Sequence, residues 1–122
     1  MVNTLLVGLG GAIGSILRYL IGHIHVSENF MFPIKTFLMH ITGCFLIGLI
    51  VAIAVKHNVT EKAMLFLKIG FCGGFTTFST FSLETAHLLK EGHFFVGILY
   101  IVLSLVVGIC AIFLADFIVH KL

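Results

Sequence analysis

The sequence predicts an all-α integral membrane protein with four transmembrane helices, the third of them broken at mid-membrane, and three observations carry that reading. The first is composition: of 122 residues, 60% are hydrophobic and 10% charged, with a mean hydropathy of +1.22, well outside the range of soluble domains. The second is length. Four apolar stretches, at about 2–22, 36–55, 62–89 and 94–119, each approach or exceed the ~20 residues a helix needs to cross hydrocarbon. They are apolar all round, whereas barrel strands alternate apolar and polar residues. The third is a glycine- and hydroxyl-rich segment from Gly70 to Ser82 inside the third stretch. The whole chain, 1–122, reads as a single membrane domain.

The first span lacks a basic leading region and carries Arg18 near its far end, so it reads as a retained span and not as a signal peptide. Its Gly8-Leu9-Gly10-Gly11-Ala12-Ile13 run fails the dinucleotide pattern at Ile13, and no strand precedes it. Gly10 with Gly14, and Gly11 with Ser15, are instead small-xxx-small pairs that let a neighbouring backbone approach. Arg18, the only arginine, suits an interfacial anchor or a structural hydrogen bond better than direct ligand binding.

The connection from His23 to Lys35 is the longest polar stretch, and Pro33 suits a helix boundary. His23, His25 and Glu28 have the side chains for a metal site, but two histidines at i, i+2 beside a loop glutamate read as solvated. In the second span Thr36, His40 and Gly43 are spaced four and three apart and share a face. An imidazole in hydrocarbon turns toward the bundle, for an interhelical hydrogen bond or for a pore lining.

Gly73-Gly74 gives up about 1 kcal/mol of helix propensity per glycine, and the hydroxyls of Thr76-Thr77 compete for the backbone. A break is therefore expected near 73–77, with helix resuming at Phe78. Broken backbone at bilayer depth persists only against protein or a water-filled path, because lipid offers its N–H and C=O groups no partner. Phe78 and Phe81 follow at i, i+3 on one face, and Glu84 continues that face a turn nearer the water. A carboxylate there is a functional candidate; pairing with Arg18 is the plainer alternative.

The fourth span is plain apart from Tyr100, Ser104 and Gly108, a stripe spaced by four that marks an inward face. Asp116 lies near its end. Cys44, Cys72 and Cys110 are scattered through apolar runs and read as small buried hydrophobes. The cations divide evenly: Lys56, Lys62 and Lys121 oppose Arg18, Lys35 and Lys90, with Lys68 inside its span. The positive-inside rule then selects no orientation, which leaves open insertion both ways and pairing of two opposed copies.

Gly70-Phe71-Cys72-Gly73-Gly74-Phe75-Thr76-Thr77-Phe78-Ser79-Thr80-Phe81-Ser82 closely resembles the signature of the Fluc (CrcB) fluoride channels. Gly10 to Tyr19 resembles that family's first-helix motif, and Gly43 to Gly48 its second. The resemblance implies an antiparallel, dual-topology homodimer in the cell's inner (plasma) membrane that exports fluoride passively through two pores. Its partners would be fluoride, a second copy of the chain and the lipid bilayer, with no nucleic acid. It further implies that Phe78 and Phe81 line the pore and that Ser79, Thr80, Tyr100 and Ser104 form a polar track. Glu84 would lie near an outer vestibule, with Arg18 in a structural role. Carbonyls of Gly73 and Thr76 from both copies would hold a structural sodium ion, with no organic cofactor. Where the family usually has asparagine this chain has His40, which keeps an N–H donor, so conduction is expected to persist.

Other classes fit less well. A small dual-topology, proton-coupled multidrug exporter needs a carboxylate deep in its first span, and here there is none. A purely structural subunit predicts no clustering of Phe78, Phe81 and the hydroxyls. Enzymatic activity is not expected, since Ser79, Glu84 and His87 come without a nucleophile elbow.

Overall fold

The computed structural model describes residues 1–24 and 31–122, and every regular element among them is helical. His25 and Glu28 lie outside the described residues. Helix α1 (Val2–Gly22) is followed by α2 (Ile34–His57). The third span is composite: α3 (Glu61–Met64), a π-helical stretch (Leu65–Cys72), α4 (Gly73–Phe75) and α5 (Phe78–Lys90). Helix α6 (Phe94–Lys121) closes the chain. Taken as Val2–Gly22, Ile34–His57, Glu61–Lys90 and Phe94–Lys121, these make four helices long and apolar enough to cross a membrane.

Local chemistry sets the boundaries. Pro33 caps α2, where its missing N–H costs nothing. Asn58 ends that helix in the left-handed conformation (φ 53°), one of the few residue types that tolerate it. The Thr60 side chain accepts a 3.2 Å bond from the Ala63 N–H and caps α3. Gly92, at φ 82°, makes the turn between α5 and α6.

Two helix pairs form the body: α1 lies on the π-helical stretch and α4, and α2 lies on α6, with α5 also against α6. The first pair is a backbone seam. A Cβ at Gly10 would run into the Phe66 carbonyl, one at Gly14 into the Phe71 carbonyl and one at Gly74 into the Gly11 carbonyl. At Gly70 it would come within 2.8 Å of the Val7 oxygen. This is small-residue packing on both helices, with Gly70 and Gly74 joining the expected Gly10 and Gly14. The second pair also meets closely at one glycine: a Cβ at Gly48 would meet the Ala115 side chain at 2.9 Å and the Ile112 carbonyl at 3.1 Å.

The break is shorter than the sequence suggests. Gly73 stays helical (φ −62°, ψ −37°), and only Thr76 (φ −117°, ψ 139°) and Thr77 (φ −133°, ψ 129°) are extended. Close contact with α1 requires Gly74 to lack a side chain, so that glycine serves packing and the β-branched pair does the unwinding.

Candidate functional site

Around the break each freed group has a distinct fate. The Thr76 N–H and hydroxyl both donate to the Cys72 carbonyl, at 3.1 and 3.0 Å. The Thr77 hydroxyl donates to Thr80 Oγ1 at 2.7 Å. Arg18 Nε donates to the Gly74 carbonyl at 3.1 Å, and Ser15 Oγ lies 3.5 Å from the same oxygen. Among the described residues, no hydrogen bond reaches the carbonyls of Gly73 or Thr76. Those two oxygens are hard, neutral donors of the kind that suits a hard cation.

Beyond the break, α5 presents a line of aromatic rings. Phe78 and Phe81 have centroids 5.9 Å apart, Phe81 and Tyr100 4.9 Å, and Tyr100 and Phe32 5.3 Å with near-perpendicular planes. His40 meets Phe81 edge-on at 5.9 Å. Tilted and perpendicular arrangements bring positive ring edges against neighbouring faces, and an edge left free offers that positive rim to an anion. Tyr100 is fully buried, so its hydroxyl needs a partner. It donates to Glu84 Oε1 at 3.4 Å, while Thr36 Oγ1 donates to Oε2 at 3.0 Å. Glu84 is thus tied to α2 and α6. No ion pair joins it to Arg18 among the described residues; Arg18 is turned toward the Gly74 carbonyl of α4.

Two cavities flank this framework. One, of about 310 Å³, is lined by Arg18, His23, Thr36, His40, Thr77 and Thr80 among others. The second, of about 230 Å³, is lined by His40, Cys44, Thr77, Phe78, Phe81 and Ser104, with Thr76 and Leu105. His40 and Thr77 belong to both walls, which places the imidazole and the extended residue between the two spaces. The Ser104 hydroxyl is buried and has no hydrogen-bond partner among the described residues. A polar atom left so is costly unless something occupies the space it faces.

The sequence-expected residues therefore fall into groups. Phe78, Phe81, His40 and Ser104 surround the smaller cavity; Thr80 and Arg18 line the larger, and Tyr100 and Glu84 stand beside the aromatic line. Ser79 is exposed and lines neither space. Sequence reasoning did not single out Thr36 and Thr77 as site residues, or Phe32. Thr36 had a signal, its spacing of four from His40, whereas Phe32 lies outside the spans and only its contact with Tyr100 reveals it. Cys44 reads as a buried hydrophobe in sequence but borders the cavity.

The family model described as CrcB-like protein, Camphor Resistance (CrcB), matches residues 5–115. A fluoride-specific ion channel FluC of Azobacteroides pseudotrichonymphae is 42% identical over 111 residues, 89% of each chain. The protein of that name from Gloeothece citriformis is 40% identical over 99% of both chains, and that from Phocaeicola vulgatus 44% identical over 93% of this chain and 95% of its own. With the glycine seam, the two-residue break and the aromatic line all inside the matched span, the chain belongs to the CrcB family.

Proposed function

We propose that the protein is a passive, fluoride-selective channel that exports cytoplasmic fluoride and so relieves its toxicity. The observation that carries this reading is the juxtaposition, in a member of the CrcB family, of phenylalanine rings with an unpartnered buried hydroxyl around one cavity. Fluoride is small and strongly hydrated, so a path must replace its water with close donors yet release it again. Hydroxyls and aromatic rims do this without a fixed cation that would hold the ion. The direction follows from acid chemistry: HF crosses lipid from an acidic exterior and dissociates in a more alkaline cytosol, and the trapped anion leaves down its own gradient. No ATP or organic cofactor is needed.

The functional unit in this reading is an antiparallel, dual-topology homodimer in the inner (plasma) membrane, with two pores. Its support is the balance of cations across the two faces and the exposure of α5: Phe78 is 78% exposed in the single chain, and Ser79 and Leu83 lie on the same uncovered side. A second, inverted copy seated on that face would enclose Phe78, and symmetry would duplicate the path. The Gly73 and Thr76 carbonyls of each copy would then hold a structural sodium ion, which would neutralise the converging oxygen dipoles. In that unit Phe78, Phe81, Ser79, Thr80, His40, Tyr100 and Ser104 line the anion path, and Arg18 and Glu84 support its mouth.

Fluoride efflux from liposomes containing the purified protein tests the activity: rapid passive release is expected, and retention of fluoride overturns it. A C-terminal tag found on both sides of the membrane supports inverted pairing, and a one-sided tag ends it.

A further inference from the structure

Helix α2 carries His40 and Cys44 four residues apart, so both project from one face with Cβ atoms about 5–6 Å from each other. That spacing is the one by which two histidines on a helix grip zinc, with a thiol here in place of the second imidazole. Both residues line the 230 Å³ cavity. Cys44 reaches across to α6: its Sγ would lie 3.2 Å from a Cβ placed on Gly108. Ser104, one helical turn before Gly108 on the same stripe, also lines this cavity, and its hydroxyl is buried without a partner among the described residues. A cysteine, a histidine and a serine thus line one cavity, and none of the conduction roles assigned above requires Cys44.

We propose that His40 and Cys44, with the Ser104 hydroxyl beside them, form a binding site for a thiophilic divalent cation of the zinc type, and that its occupancy closes the anion path. Binding exchanges the thiol proton, released to water, for a metal–sulfur bond, and the imidazole nitrogen supplies the second ligand. Two strong ligands make a reversible site, in contrast to the four of a structural zinc centre. Closure has two physical causes. The ion fills the space, and a doubly charged cation bound by one thiolate keeps a net positive charge, which holds fluoride too firmly for it to leave. The blocking part rests on the channel reading above; the binding part does not.

The test uses cadmium as the spectroscopic stand-in for zinc and full-length protein carrying Cys110→Ser, since Cys110 is exposed and Cys72 is buried. Cadmium titration is expected to raise the ultraviolet thiolate-to-metal absorption with about one ion per chain, as for a single site. Cys44→Ala should abolish the absorption. His40→Asn should weaken binding by about tenfold or more, since losing even an outer partner of a ligand costs ~10–100-fold. In liposomes, each protein's own fluoride efflux is compared with and without cadmium; the Cys110→Ser protein should be inhibited and the Cys44→Ala protein should not.

Absence of the band, or a band unaffected by His40→Asn, overturns the site and leaves only an isolated thiol. A His40-dependent band with unimpeded efflux overturns the closure. Protein that binds cadmium but passes no fluoride in either condition overturns the channel reading while the binding site stands.

Discussion

The two halves of the third span are held by opposite means. Before the break, the π-helical stretch and α4 lie on α1 with backbone against backbone, at Gly10, Gly14, Gly70 and Gly74. After it, α5 is held by side chains: Thr36 and Tyr100 on Glu84, and Phe81 against Tyr100 and His40. Its outer face, with Phe78 and Leu83, remains uncovered. The difference teaches that a membrane helix can be anchored where its residues are smallest and left to present chemistry where they are largest. Close backbone approach depends on dispersion contacts that tolerate no added volume, whereas side-chain ties can be changed one at a time.

The largest expected effect comes from the seam. Gly14→Leu should abolish recovery of folded, monodisperse protein, because its Cβ collides with the Phe71 carbonyl and the 2.9 Å approach to the Phe75 nitrogen leaves no room; overpacking of this kind costs ~3 kcal/mol or more. Size-exclusion chromatography in detergent reads it directly, and normal recovery would show that the two helices can part without harm. Next is the aromatic line. Phe81→Ile keeps an apolar side chain but removes the ring that touches Phe78, Tyr100 and His40. Fluoride efflux should fall at least about tenfold, a barrier rise of ~1.4 kcal/mol, with assembly intact. Unchanged efflux would take Phe81 out of the path.

A smaller effect is expected at the ties. Thr36→Val deletes the 3.0 Å bond to Glu84 while keeping shape, and should lower the thermal midpoint by an amount equivalent to ~1 kcal/mol. Loss of folded protein in Thr36→Val, with normal recovery of Gly14→Leu, would reverse the ranking of seam over side chains. Smallest is Arg18→Lys, which keeps the charge but loses the Nε donor to Gly74. Its thermal midpoint should drop by an amount equivalent to only ~0.5 kcal/mol, the low end of the net worth of a hydrogen bond, and a drop larger than that of Thr36→Val would overturn the order.

The four apolar stretches, the small-residue pairs of the first span and the resumption of helix at Phe78 are local properties, set by hydropathy and backbone propensity within a few residues. They could be read without a fold, as could the grouping of Thr36 with His40 and of Tyr100 with Ser104 by helical spacing. What the tertiary structure alone decided is which surfaces meet. Gly73 and Gly74 have the propensity of helix breakers, yet both stay helical, Gly74 against α1, and the unwinding is confined to Thr76 and Thr77. Glu84 and Arg18 have charges that attract, yet α2, α4 and α6 supply nearer partners for each. Propensity and charge act along the chain or at a distance; packing is settled by which atoms already occupy the space, and that is fixed only when the helices come together.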